Sequence, residues 1–301
     1  MKNYGNFVTL RPVMRIRSKR NSIIACFLVI VLSSCGEYTK LEKTADIDYK
    51  YEAAKAAYVQ GKYSRASQLF GSLLATMKGT SHGEESLYLL ALSNYHAKDY
   101  ESATSYFKKY YQSYPKGVYV EYARYYSGLS LFKQTADPRL DQGNTKDAIA
   151  ELQSFLDVYP TTNLKEQTQE MIYRLQDKLV EKEYLSAKLY FDLGTYMGNS
   201  TYGGSNYEAC VVTAQNALKD FPYATTEKRE EISYLILRAK YHLAKQSVLE
   251  KRIQRYRDVV DEYYAFQNDF PESKYIKDAK KVFNDAESIV KKKKIDIDAE
   301  D

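Results

Sequence analysis

The chain has 301 residues, a formal net charge of +5, 28% charged residues, no Trp and only three Cys. Six of its 44 Lys and Arg, and none of its 39 acids, fall in residues 1–34, so the remainder carries 38 basic and 39 acidic residues. That balance lacks the large positive excess of a general nucleic-acid binder, and so few cysteines exclude a disulfide-built scaffold.

The first segment reads as a targeting signal rather than as fold. Arg15, Arg17, Lys19 and Arg20 precede an apolar run of about ten residues, Ile23 to Leu32, which is too short to span a bilayer. The run ends in Leu32-Ser33-Ser34-Cys35, which resembles the lipobox of bacterial lipoproteins. That resemblance implies cleavage between Ser34 and Cys35 and a covalent lipid on Cys35. An ordinary signal with a chance Cys is the plainer alternative, and Met14 is an alternative start. In bacteria that send lipoproteins to the cell surface, an acidic run after the lipidated Cys resembles the export signal; residues 36–40 hold no such run, which by that resemblance implies the periplasmic leaflet of the outer membrane. Residues 35–45 are expected to be a tether.

From residue 46 to 290, apolar and aromatic residues recur at three- and four-residue spacing, with no sustained alternation of period two, which predicts helices throughout. Four prolines follow an aromatic residue, in Tyr114-Pro115, Tyr159-Pro160, Phe221-Pro222 and Phe270-Pro271, and each such step should end a helix. Counting back twelve residues from each proline gives Ala103, Ala148, Cys210 and Val259, and Ala66 stands at the same place in a first copy without proline. Four residues later come Phe70, Phe107, Leu152 and Tyr263, with Ala214 the exception. In the first two copies another small residue, Ala54 and Ala91, lies twelve positions earlier.

This pattern resembles the tetratricopeptide repeat, in which small residues let two helices cross closely and a proline follows the second. The predicted fold is all-α, a TPR-like superhelical solenoid of about five helix pairs, against the alternative of an ordinary antiparallel bundle. Residues 135–142 and 197–205 interrupt the third and fourth copies. The charged tail, 291–301, is expected to be disordered.

No catalytic motif occurs. The three histidines, His82, His96 and His242, are far apart, Asp46-Ile47-Asp48 lacks the rest of a calcium loop, and no metal, cofactor or nucleophile pattern is present. Cys210, alone once Cys35 carries lipid, is expected to be buried. Tyrosine is the outlier, with 31 residues against 11 Phe. Runs such as Tyr106, Tyr110, Tyr111 and Tyr114 exceed what one packed face should bury, so some are expected to line a binding surface. For any single Tyr the core remains the commoner fate.

A lipobox followed by five such pairs resembles the BamD family of outer-membrane assembly lipoproteins. The matching stretches are Tyr125-Tyr126-Ser127-Gly128-Leu129, then Asp147-Ala148 with Tyr159-Pro160, then residues 182–190 and Tyr207-Glu208-Ala209. The resemblance implies a non-enzymatic protein on the periplasmic face of the outer membrane. Its implied partners are a BamA-like barrel subunit, other lipoproteins of the complex, and unfolded barrel precursors. It implies no nucleic acid and no cofactor beyond the lipid. The family divides its labour between precursor at the first repeats and BamA-like subunit at the last, without mapping individual contacts. Composition supplies the candidates: Tyr concentrates between Tyr88 and Tyr126 with few charges, which makes Tyr110 and Tyr122 candidate exposed precursor-groove residues, and charge alternates along residues 251–258, which makes Arg252, Arg255 and Arg257 candidate docking cations. Other periplasmic TPR lipoprotein scaffolds and glycan-capturing lipoproteins remain alternatives, as does, more remotely, an enzyme with a TPR arm.

Overall fold

The computed structural model describes residues 44–196 and 205–298. The signal, Ser34 and Cys35, most of the expected tether and most of the Gly- and Ser-containing insertion lie outside the described residues. The chain divides after Gly117 into two compact units. Unit 1 holds α1 (Ile47–Val59), α2 (Tyr63–Leu73), α3 (Gly83–His96) and α4 (Tyr100–Ser113). Unit 2 holds α5 (Val120–Gln134), α6 (Gly143–Val158), α7 (Lys165–Leu193), α8 (Asn206–Asp220), α9 (Thr226–Lys245), α10 (Leu249–Asp269) and α11 (Ile276–Asp298).

Within each unit every helix packs on the next, and the first helix of a pair also touches the first helix of the following pair: α1 with α3, α5 with α7, α7 with α9, and α9 with α11. That double contact is TPR-like stacking, since each pair buries one face against its partner and another against its neighbour. The described residues are all-α, as predicted.

The proline steps end helices as expected. α4, α6, α8 and α10 each stop two residues before the proline, and the aromatic between adopts nearly the same backbone each time, with φ from −136° to −123° and ψ from 63° to 67°. The short turns inside the first two pairs also match. Lys62 N donates to Ala57 O and Asp99 N to Asn94 O, both at 2.9 Å. Gly61 (φ 72°) and Lys98 (φ 65°) occupy the left-handed position each turn requires, and only the glycine does so without steric cost.

Ala54, Ala66, Ala91, Ala103, Ala148, Cys210 and Val259 are all fully buried, as are the following Phe70, Phe107, Leu152 and Ala214. Burial pushes the Cys210 thiol up to about 12, as befits an inert structural cysteine. The small residue of the third pair's first helix is Gly128, where a Cβ would stand 2.5 Å from Leu152 Cδ2. Ala187 and Ala239 are its buried counterparts in α7 and α9. Replacing Ala103 or Ala148 with Leu should overpack these crossings and cost about 1–3 kcal/mol. Urea unfolding of each variant measures it, and an unchanged midpoint would contradict the close crossing.

A second device repeats. A carboxylate near the start of a pair's first helix accepts a hydroxyl from the turn that closes the pair. Thr162 Oγ1 donates to Glu121 Oε1 at 2.6 Å and Ser273 Oγ to Glu230 Oε1 at 2.5 Å, each hydroxyl two residues after its proline. Gly117 stands at that position in the second pair, and the hydroxyl of Tyr110 donates to Glu84 Oε1 instead, at 2.5 Å.

The 135–142 interruption is a pinned loop. Buried Gln142 donates to the carbonyls of Asp137 and Leu140 and accepts from Thr145 Oγ1, while Lys178 and Lys182 reach back to Thr135 Oγ1 and Leu140 O. One expectation is corrected. Residues 291–298 were expected to be disordered, yet α11 runs on to Asp298. Nothing from 291 to 298 is Gly or Pro, Lys is a good helix former, and Glu287 pairs with Lys291 one turn on, at 2.8 Å.

Candidate docking grooves

Within each unit, second helices of successive pairs border grooves whose floor is the first helix between them. Unit 1 has one between α2 and α4 over α3, with a volume of about 540 Å³ and an apolar lining from Leu74, Ala75, Met77, Leu87 and Tyr114. Its shape depends on the turn after α2. Thr80 Oγ1 donates to Met77 O at 2.8 Å, and Ser86 Oγ lies 3.0 Å from Met77 Sδ.

Unit 2 has two equivalents. One lies between α6 and the end of α8 over α7, about 760 Å³, with Ile149, Ala150, Leu179, Phe221 and Pro222 below and Lys146 and Lys219 at its rim. Tyr223, at 78% exposure, stands beside it. The other lies between α8 and α10 over α9, about 290 Å³, where Val211, Val212 and Leu243 meet Glu208, Lys240, Arg255 and Asp258. Lys240 is held there by Glu262 at 2.6 Å, both side chains about one-fifth exposed.

The expected site residues fare unequally. Tyr110 is fully buried, which overturns its reading as an exposed groove residue. Its ring packs 5.5 Å from Tyr88 and 5.6 Å from Tyr114, and the Glu84 carboxylate satisfies its hydroxyl. A Tyr whose polar tip finds an internal acceptor can be buried like Phe. Tyr122 is 51% exposed, as a contact residue must be, but it belongs to the other unit.

Two of the three expected docking cations are bound within the chain. Arg252 Nε and Nη2 donate to Ser247 O at 3.2 and 3.0 Å, and Arg255 Nη1 donates to Ser247 Oγ at 2.6 Å. They hold the turn between α9 and α10, so their first role is local. The charges along the sequence gave no sign of this, because the acceptors are the carbonyl and the hydroxyl of uncharged Ser247. Arg257 is exposed.

The histidines do not converge. His82 lies against Tyr51, His96 stacks on Tyr63 and His242 on Tyr207, at 4.6, 4.7 and 5.1 Å between centroids. Burial lowers the pKa of His96, and burial with nearby Arg238 and Lys245 lowers that of His242. Among the described residues no three His, Cys, Asp or Glu side chains gather as metal ligands. Asp46 caps α1, accepting from Tyr49 N at 2.9 Å. Among the described helices none is long and apolar enough to cross a membrane.

Residues 44–200 match the YfiO family, described as outer membrane lipoprotein. Over 239 residues the chain is 25% identical to a candidate outer membrane protein assembly factor BamD of Aquifex aeolicus, covering 78% of this chain and 74% of that one. It is 21% identical over 188 residues to an outer membrane protein assembly factor BamD of Caulobacter vibrioides, covering 60% of this chain and 62% of that one. A solved candidate protein-binding protein of Bacteroides ovatus is 14% identical and covers 71% of this chain and all of that one, with a TM-score of 0.30, too loose a likeness to inform shape or function.

Proposed function

The chain belongs to the YfiO family of outer membrane lipoproteins, and from that premise we propose that it is a non-enzymatic subunit of an outer-membrane β-barrel assembly machinery. It is held on the periplasmic face of the outer membrane by lipid on Cys35. It binds a BamA-like barrel subunit and receives unfolded barrel precursors. The observation that carries this reading is the family match across 44–200, which runs through unit 1 and into unit 2.

The grooves support a division of tasks. The α2–α4 groove is apolar and lined by Met77 and Tyr114, which suits single apolar or aromatic side chains of an extended precursor. The α8–α10 groove mixes a small apolar floor with Glu208, Arg255 and Asp258, which suits register-setting contacts with a folded domain. Affinity purification from the native envelope in mild detergent should recover a BamA-like barrel protein. A photo-crosslinker at exposed Ala75 should capture unfolded barrel precursors. Recovery of neither would overturn the reading, and loss of one alone would remove that partner.

A further inference from the structure

We propose that the outward face of α11 is an electrostatic membrane-contact site that binds the anionic headgroups of a phospholipid bilayer. The inward face sets the roll of this helix. Ala279 and Ala286 are fully buried, and the Phe283 ring stacks on Tyr263 at 4.5 Å. The opposite face then carries Lys277, Lys280, Lys281, Lys291 and Lys292 with Asn284 and Ser288, all seven exposed, and exposed Asp278 and Asp285 run along one edge of it.

The acids of the same helix up to Lys292 offset only part of this charge: Asp278 pairs with Lys281 and Glu287 with Lys291, both at 2.8 Å, and Asp285, which accepts from the Tyr241 hydroxyl at 2.5 Å, keeps its charge, so five Lys stand against three acids. Lys277, Lys280 and Lys292 have no ion-pair partner among the described residues. The sequence adds Lys293 and Lys294 before the closing acids Asp296, Asp298, Glu300 and Asp301.

The residue types choose the occupant. Protein interfaces deplete Lys at their core and enrich Arg, Tyr, Phe and Met, and this face offers neither an Arg nor an aromatic anchor. Lysine is a flexible point charge that needs no fixed partner geometry, which matches the diffuse negative field of a charged bilayer. The face also lacks apolar residues that would insert, so binding is shallow, reversible and sensitive to salt.

The test uses the chain from residue 35 with Cys35→Ser, which removes the basic 1–34 stretch and the lipid and retains every described helix. Co-sedimentation with vesicles of phosphatidylcholine, with and without about 30% phosphatidylglycerol, should show at least ~tenfold stronger partition to the anionic vesicles in low salt. Raising salt to about 0.5 M should reverse it. The triple variant Lys277→Gln, Lys280→Gln, Lys292→Gln should lose roughly tenfold or more of that partition with an unchanged thermal midpoint, while the matching Lys→Arg triple keeps it. Equal partition to neutral vesicles, or a Gln triple that binds like the parent, overturns the proposal. If the Gln triple binds vesicles normally but loses a BamA-like partner, the face docks protein and the proposal is likewise wrong. The vesicle assay contains no partner protein, so its failure leaves the assembly role standing.

Discussion

Cys35→Ala should abolish fatty-acid labelling of the protein and shift most of it from the membrane to the soluble fraction. The physical basis is the size of the anchor. Each buried methylene of an acyl chain contributes about 0.8 kcal/mol, so two or three chains hold a protein to a bilayer far more firmly than surface charge does. Residues Ile23 to Leu32 are too few to replace that anchor as a spanning helix, and among the described helices none is long and apolar enough to do so. Metabolic labelling with a fatty acid, followed by fractionation at moderate salt, measures both effects. A Cys35→Ala protein that still takes up label would sink the lipoprotein reading. One that loses label yet stays membrane-bound in high salt would point to another anchor.

Phe155→Ala should destabilise unit 2 by about 3–5 kcal/mol, a large part of an ordinary domain's stability. Phe155 is 1% exposed and sits in one cluster with Ala148, Leu152, Met171, Ile172 and Leu175. Its ring lies 5.8 Å from Tyr125 and 5.5 Å from Tyr159. Truncation would remove a ring that joins α5, α6 and α7 and the turn at Pro160, and these elements cannot close a gap of that size without shifting their pinned ends. Thr162–Glu121 at one end and Lys178–Thr135 at the other resist that shift. Phe155→Leu refills most of the volume and should cost well under half as much. Urea unfolding monitored by helical circular dichroism is the measurement. A loss below about 1 kcal/mol for the Ala variant would mean that the ring is not closely packed.

The parts of the fold that were legible in the residues are those set by local chemistry. An aromatic-proline step stops a helix whatever surrounds it, and four such steps gave four helix ends with nearly one backbone geometry. A small residue at a fixed distance before the stop is needed wherever two helices cross closely, so Ala103, Ala148, Cys210 and Val259 marked the crossings. The matching small residues of the first helices were legible only in the first two copies. Gly128, Ala187 and Ala239 lie 20, 23 and 20 residues before their partners instead of twelve, and that removes the spacing by which Ala54 and Ala91 were found.

The candidate site was less legible, for a different reason. Whether a tyrosine is core or surface depends on whether its hydroxyl finds an acceptor, and the acceptor lies on another helix. Tyr51 donates to Glu85 and Tyr110 to Glu84, partners 34 and 26 residues away along the chain, both at 2.5 Å. An arginine is a docking cation only if no nearby carbonyl claims it, and Ser247 claims Arg252. The grooves likewise exist only between non-consecutive helices, α2 with α4 and α8 with α10. The sequence by itself determined helix class, helix ends and the close crossings, because backbone sterics and side-chain volume act between near neighbours. The tertiary structure alone decided which polar atoms are satisfied internally and which face of α11 is left to solvent, because hydrogen bonds and packed faces join residues that only the finished fold brings together.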